Sequence, residues 1–319
     1  MTTRETIRMS VADLDQIMAN SLEETLFDRS KCAVCNKIET DSIKLQLCAR
    51  CKKSKYCSKE CQAEDWPSHK TSCKADNYIL KINLCPEAIQ NPAVSRTLSC
   101  PANSTFEQLH DAIQTAFDWA GTHAYDFKIK DPNALPEPVF DIMAHIQRRQ
   151  VEDNARNRGQ PIPDFGPRQN LLRIIDADMY GVDIIHNDDR KHSQTPEVKS
   201  TNIKLSKVFD NKDYKGAGIE YEYDFGDCWT HEIEILGRAP ATGNFVCTDG
   251  EGHGVAEDVG SPSGWLKLRE AYKAARPTGD QKELMRWFEA QASNADSKGL
   301  KNGRDRIWDK DAINADLSS

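Results

Sequence analysis

Cys57 and Cys61 stand four apart, and so do His69 and Cys73, all within the stretch YCSKECQAEDWPSHKTSC. Four residues is about one helical turn, so each pair can share one face of a helix. That suits a metal ion better than a disulfide. Upstream, Cys32 and Cys35, then Cys48 and Cys51, form two C-x2-C pairs. Each has the form of a knuckle, a tight turn presenting two sulfurs about 2.3 Å from one metal. Each knuckle needs two more ligands, and the four-apart pairs supply them. Eight candidate ligands result: Cys32, Cys35, Cys48, Cys51, Cys57, Cys61, His69 and Cys73. They suffice for two closed tetrahedral sites and therefore for two structural Zn2+, with no position left open for catalysis. Spacing leaves sequential and interleaved pairing both open.

These ligands must be positioned by a segment too short to fold on apolar burial alone. Structural zinc contributes on the order of 10–16 kcal/mol in small fingers. Ser58 is placed to cap a helix carrying Cys61. Pro67 predicts that this helix stops near Trp66, with a second short turn presenting His69 and Cys73. The whole pattern, C-x2-C-x12-C-x2-C-x5-C-x3-C-x7-H-x3-C with YCSKECQAEDWPSHKTSC at its end, resembles the MYND zinc finger. The resemblance implies interleaved ligation: Cys32, Cys35, Cys57 and Cys61 on one zinc, and Cys48, Cys51, His69 and Cys73 on the other. It also implies a protein-interaction module, in which Gln62 and Trp66 match positions beside a groove for a short, in some cases proline-rich, peptide. Trp66 packed only over the second zinc site, and Gln62 as a solvated helix residue, are the plain alternatives.

The chain has 319 residues, 38% apolar and 29% charged, as soluble globular chains do. It contains no run of eighteen apolar residues, so no spanning helix and no membrane partner are expected. Residues 1–31 form a tail without the features of a secretory signal; Val11, Leu14, Ile17, Met18 and Leu22 fit a short amphipathic helix. Seven of the eleven cysteines lie between Cys32 and Cys73. Clustered thiols without an export signal point to a reducing, intracellular setting, either cytoplasm or nucleus. The net charge of −8 argues against a general nucleic-acid binder. From Lys31 to Lys74 the formal excess is +5, which seven thiolates and two zinc ions reduce to +2.

Past Cys73 the composition changes. NYILKINLC alternates Tyr78, Leu80, Ile82 and Leu84, as a half-buried strand does. Ser104 and Glu107 have capping-box spacing ahead of Phe106, Leu109, Ile113 and Ala116 at helical intervals. HAYDFKI and NLLRIID read as strands. Residues 147–170 are polar with Pro and Gly punctuation and read as a long loop or partly disordered insertion; NDDRKHSQTPEVKS reads as another polar loop. In GIEYEYDFGDCWTHEIEILG two alternating runs meet at Gly226, an antiparallel hairpin. The fold class is α+β, a small two-zinc finger followed by a larger, mainly antiparallel sheet domain with packed helices. The segments FEQLHDAIQTAFDWAGTHAYDFKI, YEYDFGDCWTHEIEI and DGEGHGVAEDVGSPSGWLKL resemble the plasmid pRiA4b ORF-3-like family. That resemblance covers 77–319 and implies a fold without a defined chemistry. The segment VAEDVGSP keeps Glu257, Asp258, Val259 and Gly260 but lacks the family's paired prolines and second glycine. The domains expected are therefore the 1–31 tail, a finger at 32–73 and the α+β domain at 77–319.

A second candidate site is a polar cluster of His123, Asp224, Asp227, His231, Glu257 and Asp258, with His110 nearby in sequence. Converging, such groups form a metal or acid–base site. Ordinary roles are available too. His231 shares a strand face with Trp229 and Ile233, as a core histidine would. Asp227 can hold the hairpin turn through an Asx bond. His110 falls opposite the Phe106/Ile113 stripe and is expected at the surface. No nucleophile–base pair and no glycine-rich phosphate loop is readable. The reading is a zinc-binding interaction adaptor or regulator. The alternatives are a metal-dependent enzyme at Asp224/Asp227/His231 and a nucleic-acid-associated regulator.

Overall fold

The computed structural model describes residues 31–135, 142–161, 163–164, 166–177 and 190–319. The helix expected around Val11 to Leu22 lies outside them. The chain divides into two compact units, residues 1–75 and 76–319.

In the first unit a two-stranded antiparallel ribbon, β1 (Gln46–Leu47) and β2 (Lys55–Tyr56), pairs Gln46 with Tyr56. It is followed by helix α1 (Lys59–Ser72), whose N-cap Ser58 accepts the Cys61 N–H. The core is Cys32, Cys48, Cys51, Cys73 and Tyr56, with Val34 and Leu45 packed against it. A core made largely of sulfur has little stability of its own. The helix does not stop at Trp66 but runs through Pro67 to Ser72. An interior proline removes one backbone donor and crowds the preceding turn. Here the candidate ligands Cys61 and His69 sit on either side of it, with Cys73 as the C-cap, so the helix is anchored at both ends.

In the second unit one sheet carries the core. Its eight strands lie in the order β10-β4-β3-β9-β8-β5-β6-β7. They are β3 (Asn77–Leu84), β4 (Ser95–Cys100), β5 (Tyr125–Lys130), β6 (Asn170–Ile175), β7 (Glu197–Lys199), β8 (Ile219–Tyr223), β9 (Trp229–Ala239) and β10 (Val246–Glu251). Only the β6–β7 pair is parallel. The helices are α2 (Phe106–Phe117), α3 (Ile142–Asn157), α4 (Leu205–Phe209), α5 (Ser261–Lys273), α6 (Gly279–Ala290) and α7 (Lys310–Asp316). No helix among the described residues is long and apolar enough to cross a membrane.

The two faces of the sheet differ, as period-two alternation requires. One buries Tyr125, Phe127, Ile129, Tyr221, Tyr223, Trp229 and His231, and the Phe106 ring of α2 meets Phe127 edge-on at 5.0 Å. The other carries charge. Arg173 binds Asp126 at 2.7 Å and Glu197 at 2.8 Å, and Lys128 binds Glu222 at 2.6 Å and Glu220 at 2.8 Å. Asp126 and Arg173 are almost wholly buried, so each needs the other to offset its lost hydration.

Three local expectations are corrected. The capping box of α2 is Thr105 with Gln108, not Ser104 with Glu107. Ser104 is committed one residue earlier, its carbonyl accepting the Leu205 N–H. Helix α3 occupies much of the stretch expected as a loop. Its buried positions include Glu152 as well as Ala155, so no apolar stripe announces it. His110 is buried rather than exposed. Its Nδ1 lies 2.8 Å from the Tyr221 hydroxyl and its ring stacks on Tyr125 at 3.6 Å.

Candidate metal centres

Both knuckles close in the same way. The Asn36 N–H donates to the Cys32 carbonyl at 3.0 Å, and the Lys52 N–H to the Cys48 carbonyl at 2.9 Å. Asn36 and Lys52 both have φ of 57°, the left-handed conformation that turns the chain back after the second cysteine. The β1–β2 ribbon and the start of α1 then bring Cys57 and Cys61 to the first knuckle, and the end of α1 brings His69 and Cys73 to the second.

Two clusters result: Cys32, Cys35, Cys57 and Cys61, and Cys48, Cys51, His69 and Cys73. Within the first, Cys35 and Cys57 sulfurs are 3.4 Å apart and Cys57 and Cys61 3.7 Å. Within the second, Cys48 and Cys73 sulfurs are 3.6 Å apart, and the Cys51 sulfur is 3.5 Å from His69 Nε2. Tetrahedral ligands about 2.3 Å from one ion lie about 3.7 Å from each other. The donor sets therefore fit zinc, and these are two structural zinc centres. The pairing is interleaved.

The thiols are unevenly poised. Burial raises Cys32, but backbone hydrogen bonds from Cys35 and Val34 outweigh it and hold the thiol at about 6. The hydrogen bond with Cys35 and then burial push Cys57 up to about 12. Cys48 falls to about 6, backbone hydrogen bonding overcoming burial, while burial and Cys48 push Cys73 to about 12. Crowded sulfurs cannot all ionise together unless a cation joins them, and Zn2+ supplies that charge. The second cluster is buried throughout, whereas Cys35 is exposed. Ser54 Oγ lies 3.4 Å from His69 Nδ1, which leaves Nε2 turned toward the sulfurs.

Trp66 is 39% exposed and meets the His69 ring at 6.1 Å, so it packs beside the second centre and still faces solvent. Gln62, one turn before it on α1, is half-buried. Leu47 and Ile38 are the other large exposed apolar side chains described in this unit.

The polar cluster is assembled only in part. His123, Asp224 and Asp258 converge. Glu257 is fully buried, accepting from the Tyr223 hydroxyl and from the Ala120 N–H. Asp224, not Asp227, holds the hairpin turn, its Oδ1 accepting the N–H groups of Gly226 and Asp227. Asp227 instead accepts the Gly260 N–H at 3.0 Å. His231 is enclosed by Phe117, Trp119 and Tyr221, and burial lowers it to about 3. A neutral, enclosed imidazole serves the core, so the Asp224/Asp227/His231 enzyme site is not favoured. Ser293 and Asn294, which bond Asp258 and the Glu257 backbone, carry no signal in the sequence; the α6 loop delivers them across more than thirty residues.

Comparison with known proteins follows this division. Residues 32–73 match the MYND finger, and residues 76–316 match the plasmid pRiA4b ORF-3-like protein family. An uncharacterized protein, y4hQ, of Sinorhizobium fredii is 26% identical over 56% of this chain and 66% of its own. Human Egl nine homolog 1 is 32% identical over 35% of this chain and 26% of its own. A SET domain and MYND-type zinc finger protein of Schizosaccharomyces pombe is 51% identical over 13% of this chain and 8% of its own. The chain thus spans less than two thirds of the length of these relatives. The crystal structure of MM3350, a protein of unknown function from Methanosarcina mazei, aligns with a TM-score of 0.45 and 20% identity, covering 73% of this chain and 95% of that one.

Proposed function

From a chain that belongs to the plasmid pRiA4b ORF-3-like protein family and carries a MYND finger ahead of that domain, we propose an intracellular zinc-dependent adaptor or regulator. Its working parts are the finger at 32–73 and the α+β domain at 77–319. Cys32, Cys35, Cys57 and Cys61 hold one zinc; Cys48, Cys51, His69 and Cys73 hold the other. Gln62 and Trp66 flank a groove that takes a short, proline-rich peptide of a partner protein. One observation carries the reading: two metal clusters with every ligand position filled stand beside a tryptophan that remains 39% exposed. A closed zinc site has no chemistry to offer a substrate, whereas a rigid aromatic edge offers a contact surface. Short matches also occur in proteins whose names specify a histone-lysine N-methyltransferase and two SET domain proteins, as small shares of those chains. That is the distribution of an accessory binding module.

The test is a titration of proline-rich peptides against the intact, zinc-loaded chain. Binding that falls at least tenfold in Trp66→Ala, with both zinc ions retained, supports the groove. Equal affinity in Trp66→Ala and Gln62→Ala removes it.

A further inference from the structure

We propose that His123, Asp224 and Asp258 form a divalent-cation site at one end of the sheet, independent of the two thiolate centres and of the peptide groove. Three chain segments meet there. His123 lies between α2 and β5, Asp224 follows β8 directly, and Asp258 precedes α5. His123 Nε2 is 2.9 Å from Asp258 Oδ1 and 3.7 Å from Asp224 Oδ2. All three candidate ligand atoms lie within 4.8 Å of one another.

A second observation concerns Asp224 alone. The residue is only 7% exposed. Its Oδ1 is satisfied by the Gly226 and Asp227 N–H groups, but no hydrogen bond reaches Oδ2 among the described residues. The 3.7 Å to His123 Nε2 is too long for one. Oδ2 is thus left to solvent and to His123, an anionic oxygen with no donor in bonding range among the described residues and free to act as a ligand. The surroundings do not supply enough positive charge. Among the described residues no Lys or Arg makes an ion pair with Asp224, Asp227, Glu257 or Asp258, and His123 is the sole basic partner. The carboxylates are nevertheless held in place: Asp258 Oδ2 takes the Ser293 hydroxyl at 3.1 Å, and Asp227 takes the Gly260 N–H. Such outer bonds orient ligands in metal sites.

One imidazole nitrogen and two carboxylate oxygens, completed by water, suit Mn2+ or Fe2+. The side chains of His123 and Asp258 are 31% and 48% exposed, so water can complete the coordination. Mn2+ is the discriminating probe because it sits at the weak end of the divalent series and does not displace zinc from thiolates.

The experiment adds Mn2+ to the full-length chain carrying two zinc ions and freed of excess zinc, at neutral pH, and follows free Mn2+ by electron paramagnetic resonance. The wild type is expected to take up one Mn2+ per chain. Asp258→Asn, at a half-exposed side chain outside the hairpin turn, is expected to lose that ion while keeping its zinc content and circular dichroism. His123→Gln is expected to do the same. Absence of Mn2+ uptake by the wild type at millimolar metal, or undiminished uptake in both variants, overturns the proposal and leaves His123 and Asp258 as an ion pair only. Because the readout does not involve the finger, loss of peptide binding and loss of this site are separately visible.

Discussion

Lowering the pH from 7 to 5 is expected to destabilise the sheet unit by about 4 kcal/mol, through two histidines that the fold keeps neutral. Burial lowers both His110 and His231 to about 3, from an ordinary 6.5. The unfolded chain therefore binds protons that the folded chain refuses. Their stabilising effect is complete above 6.5 and is lost progressively as pH falls from 6.5 toward 3. At pH 5 each unfolded histidine is nearly fully protonated, which is worth about 2 kcal/mol apiece. The structure shows why neither can charge in place. The Tyr221 hydroxyl receives the Gln114 amide N–H at 2.9 Å and so gives its own proton to His110 Nδ1. Among the described residues His231 Nε2 has no hydrogen-bond partner. Glu222, which burial raises but Arg190 and Lys128 hold at about 2, titrates below this window. Urea unfolding with excess zinc, read by tryptophan fluorescence, is the assay, since five of the six tryptophans lie in the sheet unit. His231→Phe should remove about half of the pH dependence. Equal unfolding free energies at pH 7 and pH 5 would refute the reasoning, as would an undiminished pH slope in His231→Phe.

Metal analysis of the reduced chain should find two zinc ions; chelation should release first the ion of the cluster containing exposed Cys35, and amide exchange should show the first unit losing order while the sheet persists. Asn314 on α7 donates to the Cys247 carbonyl at 2.9 Å and accepts its N–H at 2.8 Å, covering the backbone of edge strand β10. Asn314→Ala should lower stability by about 1–3 kcal/mol in urea and increase light scattering on warming, because an uncovered edge pairs with other chains. A Cβ added at Gly264 would stand 1.9 Å from the Val259 carbonyl oxygen. Gly264→Ala should therefore cost about 1–3 kcal/mol as overpacking, measured the same way.

How far the sequence could be read depended on whether a residue's partner lay nearby. The finger was legible ligand by ligand because zinc imposes residue type and spacing together, and the hairpin of β8 and β9 because its alternation is local. Pairing of the two clusters was not fixed by spacing, since Cys51 and His69 meet only when α1 continues through Pro67. The polar residues divided on the same principle. His231 showed its core role through its strand neighbours Trp229 and Ile233. His110 did not, because its burial depends on Tyr125 and Tyr221, brought by β5 and β8 onto the far side of α2. Helix α3 is not legible in the sequence because it buries Glu152 where a stripe would show leucine. The unit of three at His123, Asp224 and Asp258 unites residues over a hundred positions apart, set by sheet order rather than by any motif. Asp224 and Asp227, three apart in one turn, instead face different partners, so proximity in sequence overstated their kinship while fold topology concealed the actual grouping.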